Sequence, residues 1–340
     1  LTAFCSATQD ISLDAYRIES ASADLQGALA ATYQTGYRLA MIWAGAGAFA
    51  LAAFFQSAPS GAYDQTGWTW AYLIMAASIS VGLATTLLSP PPNASDEKSK
   101  LRHLEEMRHH VHAFILRHPS LPRPIAKVIG WFGFVCVRPI ADFFYRYRWH
   151  ALAILLLIAT YRISDVVMGV MSNPFYRDMG FTKEEVAAVS KIFGVVMTLV
   201  GTFIGGIVVL KIGILKTLFI GALLSAGTNL LFSALAGIGH SLPFLVFTVS
   251  ADNLSGGLAS AAFIAYLSGL TNVQYSATQY AVFSSIMLIL PKFLAGFSGV
   301  LVESLGYSNF FILTAALGVP VLVLIPIIGY LSRHRAPDKN

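Results

Sequence analysis

Charge is what this sequence has least of. Only 11% of its 340 residues are Asp, Glu, Lys or Arg, against about 25% in a typical soluble domain. That excludes an ordinary water-soluble globule. Cysteine is nearly absent: Cys5 and Cys136 stand far apart, which excludes a disulfide framework and a cysteine-based metal centre. There is no starting Met, no basic leader and no A-x-A cleavage site, so no secretory signal peptide is read. No H-E-x-x-H and no G-x-S-x-G occurs, which removes the commonest metalloprotease and hydrolase signatures. No cofactor and no metal are expected.

What is present is apolar length. Hydrophobic residues make up 56% of the chain, and mean hydropathy is +0.67. A helix needs about 20 apolar residues to cross roughly 30 Å of hydrocarbon. Nine segments qualify: 1–19, 30–56, 67–89, 151–173, 186–210, 213–236, 243–268, 277–302 and 309–331. The expected class is an all-α, polytopic membrane protein, because lipid leaves the backbone little alternative to helix.

The basic residues are unevenly placed. Ten of them fall in 90–149: Lys98, Lys100, Arg102, Arg108, Arg117, Arg123, Lys127, Arg138, Arg146 and Arg148. The positive-inside rule puts that segment in the cytoplasm. By alternation 57–66, 237–242 and 303–308 lie outside, and none holds Lys or Arg. Only 174–185 runs against the trend, with Arg177 and Lys183 offset by Asp178, Glu184 and Glu185. This pattern accounts for the net charge of +5 without a nucleic-acid partner.

Three spans, a basic linker and six spans suggest the major facilitator plan of two six-helix halves. The expected divisions are 1–89 for the last three helices of the first half, 90–149 for the linker, 150–331 for the complete second half and 332–340 for a cytoplasmic tail. Nine of twelve helices would then be present, the chain entering partway through the fourth. In the linker, Leu101, Leu104, Met107, Val111, Phe114 and Ile115 recur at helical spacing, which predicts an amphipathic helix over 96–118. Its five histidines, His103, His109, His110, His112 and His118, lack ligand spacing and read as a solvated or headgroup face. The run Trp131–Val137 reads as too short to span, so 123–149 is expected at the interface on anionic lipid.

Charges at bilayer depth are costly, about 2.5–3.5 kcal/mol on insertion scales, and so usually face a cavity or a partner. With the inner end of the first span near residues 18–20, Asp10 lies about eight to ten residues deep, near the midplane. Asp14 is one turn nearer the cytoplasm on the same face, Arg17 lies at the interface, and Gln9 adds a neutral donor and acceptor. Arg38 follows Tyr33, Gln34 and Tyr37 in the second span. In the second half, Arg162 and Asp165 are three apart, Lys191 enters early, Asp252 and Asn253 interrupt a span, and Lys292 follows Pro291. Asp14–Arg17 and Arg162–Asp165 are expected to neutralise themselves as structural or gating pairs, and Lys191 either snorkels outward or serves with them. Asp10, Arg38 and Lys292 have no near partner on their own helices. A polar cavity accounts for them, with Asp10 carrying a proton, and Gln9, Tyr33, Gln34, Tyr37, Arg38, Asp252, Asn253 and Lys292 binding substrate. Gly45, Gly47, Gly205, Gly206, Gly296 and Gly299 would permit close helix contact or bending.

The run A-F-C-S-A-T-Q-D-I-S-L-D-A-Y-R (3–17) closely resembles the fourth helix of the AmpG family of bacterial muropeptide permeases. The resemblance continues at G-Y-R-L-A-M (36–41), R-P-I-A-D-F-F-Y-R (138–146), Y-R-I-S-D (161–165), F-Y-R-D-M-G-F-T-K-E-E-V (175–186), V-S-K-I-F-G (189–194) and G-T-F-I-G-G (201–206). It ends with D-N-L-S-G-G-L-A-S-A-A-F-I-A-Y-L (252–267) and S-A-T-Q-Y-A-V-F-S-S (276–285). One facilitator loop motif departs, with Leu210 in place of its acid. The acetyl-CoA transporter family shares the Q-D-I-x-x-D-A core less fully.

This resemblance implies proton-coupled import of anhydromuropeptides across the inner membrane of a Gram-negative bacterium. The cargo would be N-acetylglucosamine linked to anhydro-N-acetylmuramyl peptide, recycled from the wall and feeding β-lactamase induction. It further implies that Asp10, which matches the aspartate of the family's S-A-T-Q-D block, is tied to transport. The expected partners are the anionic glycopeptide, a proton and membrane lipid, and the expected state is a monomer. The readings left open are a facilitator of another anion, such as acetyl-CoA or a peptide, and an inactive truncated product.

Overall fold

A computed structural model describes residues 1–22, 25–56, 65–90 and 97–333; within these, the side chains of 97–100, 103, 191, 192 and 333 lie outside the description. Among the described residues every regular element is a helix.

The first helices are α1 (Thr2–Glu19), α2 (Gln26–Ile42), α3 (Ala48–Phe54) and α4 (Gln65–Leu88), with α2 running into α3 through a wide π-helical turn at Trp43–Gly47. The linker holds α5 (Glu97–Arg117), α6 (Arg123–Phe132) and α7 (Arg138–Tyr147). Then come α8 (His150–Thr160), α9 (Ile163–Asp178), α10 (Lys183–Ala188), α11 (Val195–Ile212), α12 (Ile214–Ile238), α13 (Leu242–Leu270), α14 (Ser276–Ala295), α15 (Ser298–Leu317) and α16 (Val319–Arg333).

Among the described residues, eight helices or joined helices are long and apolar enough to cross a membrane, including Gln26–Phe54, Gln65–Leu88, His150–Asp178 and Ile214–Ile238. The segments expected at 1–19 and 243–268 are helical, as α1 and α13, but too polar in composition to count among the eight. Asp10 and Asp14 lie on the first of these and Asp252 on the second. One element exceeds expectation. Trp131–Val137 is not an isolated run, because a π turn at Gly133–Val137 joins α6 to α7 into one helix of 25 residues, Arg123–Tyr147. The wide turn absorbs Pro139, whose missing N–H would otherwise break the ladder. The reading of that run as too short to span is corrected: by length and composition alone the joined helix reaches spanning size.

Inside α15 the backbone leaves the helix at Gly306, with φ 75 and ψ 163. That conformation suits glycine, and it turns the chain where an external connection was expected.

Two apolar clusters hold the second set of helices together. One contains Leu157, Ile158, Leu218, Phe263, Phe283 and Ile325, and takes in Ile18 of α1 and Phe143 of α7. The other contains Met168, Phe175, Phe232, Leu245, Phe310 and Phe311. The first lies at the end of the bundle that carries the linker, the second at the opposite end. Small residues bring α11 and α13 into backbone contact. A Cβ on Gly201 would collide with the Leu254 carbonyl oxygen, and one on Gly257 with that of Thr198. The first helices dock the same way, Gly27 against Val209 and Ala31 against Gly206.

A polar layer between two sets of helices

Between the two apolar clusters lies a belt of polar side chains. Ser164 Oγ donates to the Thr314 carbonyl at 2.7 Å, and Asn229 Nδ2 donates to Ser164 Oγ at 2.8 Å and to Thr314 Oγ1 at 3.1 Å. These bonds satisfy groups that have no water to turn to.

The charges of the layer surround a break in the chain. The helix that starts at His150 stops at Thr160 and restarts at Ile163, with Arg162 non-helical at φ −96 and ψ 6. Non-helical backbone at membrane depth is tolerated where protein buries it or where it lines a cavity. Tyr161, stacked on Phe263 with ring centroids 4.4 Å apart, anchors the break and donates its hydroxyl to the Leu218 carbonyl at 3.2 Å. Arg162 thereby projects from the start of α9. Its Nη1 donates to Ser260 Oγ at 2.5 Å, and its Nε lies 3.4 Å from Asp165 Oδ2. Asp165 also accepts from Ser225. Asp252 on α13 accepts from Thr228 Oγ1 at 3.1 Å and lies within electrostatic reach of Asp165 and Arg162. The expected Arg162–Asp165 pair is therefore present, yet it belongs to a larger group.

Arg38 enters this group from α2. It is half-buried, its Nε has no hydrogen-bond partner among the described residues, and the field of Arg162 reaches it. The expected counterpart, Lys292, stands exposed on α14 without an ion pair among the described residues. The cation whose field reaches Arg38 is thus Arg162. Asn253 also differs from expectation. Its Nδ2 donates to the Val249 carbonyl at 2.8 Å and its Oδ1 accepts from Thr198 at 2.9 Å, so its amide clasps α13 to α11 beside Gly194. The side chain of Lys191 lies outside the described residues.

A second cluster closes the linker end. Arg17 is 6% exposed. Its Nη2 lies 3.3 Å from Asp14 Oδ1, as the spacing predicted, and its Nη1 donates to Ser268 Oγ on α13 at 2.8 Å. Its guanidinium also lies 5.1 Å from the Tyr280 ring and 5.5 Å from that of Tyr33. One turn on, Ser276 donates to Glu19 at 2.5 Å. Asp10 and Gln9 lie two turns away toward the opposite end, exposed along α1, and Tyr37 is exposed on α2 with Gln34 half-buried.

The linker is fastened to the same end. Gln279 Nε2 donates to the Pro139 carbonyl at 2.8 Å and to Asp142 Oδ2 at 2.9 Å, while its Oε1 accepts from Arg146 Nη2 at 2.9 Å and from the Asn272 N–H at 2.7 Å. Sequence reasoning missed Gln279 as a hub, as it missed Ser268, Ser276 and Tyr280. The one legible signal was the Asp142–Arg146 spacing at i,i+4.

The two sets of helices dock through small residues of α2 and α11 and through the Arg17 cluster, and a polar, charge-bearing layer runs through the second set: the chain is an all-α polytopic membrane protein with the architecture of a transporter. Comparison with known proteins narrows the class. The Rickettsia felis protein named as transporter AmpG 4 is 31% identical over 322 residues, which are 95% of this chain and 69% of the relative. Its namesake in Rickettsia conorii is 30% identical over 325 residues, 96% of this chain and 70% of the relative. The anhydromuropeptide permease of Escherichia coli K12 is 31% identical over 324 residues, 95% of this chain and 57% of that permease. No protein-family model matches. The chain belongs to the AmpG transporter family, and its fold is that of the major facilitators.

Proposed function

We propose that the chain carries out proton-coupled import of anhydromuropeptides across the bacterial cytoplasmic membrane for cell-wall recycling. The observation that carries this reading is Arg162 at the broken helix, with Arg38 of the first set within reach of its field. A muropeptide is anionic through its peptide carboxylates and rich in hydroxyls and amides. Two guanidiniums suit the carboxylates, and the start of α9 adds a positive dipole end, the arrangement that broken helices supply in many transporters. Tyr33, Gln34, Tyr37 and Gln9 provide hydrogen-bonding groups on the facing helices.

The linker end is the cytoplasmic one in this reading, because its ten Lys and Arg obey the positive-inside rule. The Arg17 cluster is then the closed inner mouth, with Asp14 as its neutralising acid. Asp10, on the same face of α1 but deeper, takes up the proton. Protonation removes a charge that is costly at bilayer depth, which lets α1 move relative to α14 as access alternates. Asp252 and Asp165 balance the arginines between loads.

The test is uptake of labelled anhydromuropeptide into proteoliposomes under an inward proton gradient, with Asp10→Asn beside the parent. Gradient-driven uptake that the substitution abolishes supports the reading. Undiminished, pH-independent uptake by the variant sinks the proton role. Full inhibition by acetyl-CoA or a plain peptide at equal concentration would shift the assignment to another anion.

A further inference from the structure

The linker holds a groove apart from the Arg162 and Arg17 clusters. Helices α5 and α6 lie side by side, closest at Gly130, where a Cβ would come within 3.3 Å of the Val111 Cα and 3.2 Å of the Phe114 Cβ. Beside this contact the two helices diverge and enclose a groove of about 730 Å³. Its wall is apolar: Met107, Val111 and Ile115 from α5, Val128 and Trp131 from α6. Its rim is cationic, with Arg108 and His112 on one side and Lys127 on the other. Among the described residues neither Arg108 nor Lys127 forms an ion pair; of the two nearby acids on α5, Glu106 pairs with Arg138 at 3.4 Å and exposed Glu105 forms no ion pair.

An apolar trough with cations along its lip matches one kind of ligand, a molecule with a phosphate at one end and a hydrocarbon chain at the other. We propose that this groove is a binding site for one anionic phospholipid. Arg108 and Lys127 take the phosphate from opposite sides, Arg as a planar fork and Lys as a point charge. One acyl chain lies along Val111, Ile115 and Val128. Trp131, 49% exposed, stands at the level of the headgroup, where the amphipathic indole ring is favoured. The exposed apolar residues Ile125, Ile129 and Phe132 continue the same helix surface, so the bound lipid is one molecule of a bilayer leaflet that α6 already touches. Because the α6–α7 helix is fastened to α14 by Gln279, such a lipid also ties the leaflet to the end of the bundle that holds the Arg17 cluster.

The experiment is native mass spectrometry of the full chain in detergent, titrated with phosphatidylglycerol and, separately, with phosphatidylcholine. The first phosphatidylglycerol adduct is expected to form at lower concentration than the phosphatidylcholine one. The double variant Arg108→Gln, Lys127→Gln should weaken that first adduct by about tenfold or more, as the loss of two lipid-facing cations implies. Arg117→Gln with Arg123→Gln removes the same charge from the same helices outside the groove and should leave it unchanged. All four side chains are exposed, so both variants keep the packed core. Equal weakening in the two variants would reduce the effect to diffuse attraction and overturn the site. So would equal binding of the two lipids. Displacement of the lipid by inorganic phosphate, which has charge but no chain, would make the groove a free-anion site and overturn the lipid assignment.

Discussion

Arg17 of α1 donates to Ser268 of α13 at 2.8 Å, joining two helices that lie 251 positions apart in the chain. The guanidinium is buried and its Nε has no partner among the described residues. A buried charged hydrogen bond contributes about 1.5–3 kcal/mol. A double-mutant cycle of Arg17→Gln and Ser268→Ala should therefore give a coupling energy of that order in thermal or denaturant unfolding. Simple additivity of the two substitutions would mean that the bond contributes nothing.

Gln279 makes four hydrogen bonds with one side chain, to Pro139, Asp142, Arg146 and Asn272. Gln279→Leu keeps the bulk and removes these bonds; the Asn272 N–H loses its partner, at about 1–3 kcal/mol where water does not reach, while Asp142 and Arg146 keep each other. The expected result is a lowered melting temperature and faster proteolysis between α7 and α8. Cleavage at the parent rate would show that the linker is held elsewhere.

Arg38 and Arg162 should act on one anion. Arg38→Gln and Arg162→Gln should each raise the KM for muropeptide, and the double variant should be little worse than the poorer single one, since groups sharing a ligand are not additive. Arg162→Lys keeps the charge but loses the fork to Ser260 and Asp165, and should recover uptake only in part. Independent, multiplicative effects on KM would separate the two sites.

Backbone contact makes Gly201 and Gly306 demanding for different reasons. Gly201→Ala would push a methyl group into the Leu254 carbonyl, at about 1–3 kcal/mol of overpacking. Gly306→Ala meets no atom within 4 Å, but φ 75 with ψ 163 is a conformation that side chains avoid, at about 1–3 kcal/mol. Gly227→Ala lies in open space within α12 and should be neutral or slightly stabilising. Melting temperatures of the three variants check the order.

Glu185 gives a pH dependence outside the membrane. Its carboxylate accepts from the Thr182 N–H at 2.9 Å in a capping box, and His240 lies 3.3 Å away. The Thr182 backbone bond first, then His240, hold it below the ordinary glutamate value. A depressed folded value means that its contribution is present above the ordinary range near 4.3 and fades as pH falls through the folded value. Melting temperature measured from pH 7 down to pH 3 should drop through that window in the parent, with a shallower drop in Glu185→Gln. Superimposable curves would remove Glu185 from the acid limb.

Much of this was legible in the residues. The long apolar runs predict the helices, because a backbone in lipid must bond within its own segment. Asp14 with Arg17 and Arg162 with Asp165 were readable as pairs, because i,i+3 spacing on a helix sets the two side chains on one face. The joined helix at 123–147 was not legible, since Pro139 signals a break and only the π turn ahead of it carries the helix through. The bond of Asn253 to Thr198 across to α11 was not legible either, because the two lie 55 positions apart in the chain.

The sequence by itself determined the helical segments, the uneven placement of basic charge in the linker, and which charges must find company at depth. Only the tertiary structure decided which company: Ser260 and Ser225 for the Arg162–Asp165 pair, Ser268 and Tyr280 for Arg17, Gln279 for the linker. The reason is physical. Helix formation is a local consequence of hydrogen bonding along one stretch, whereas the fate of a buried charge depends on what a distant helix presents at the same height, and no spacing within one segment encodes that.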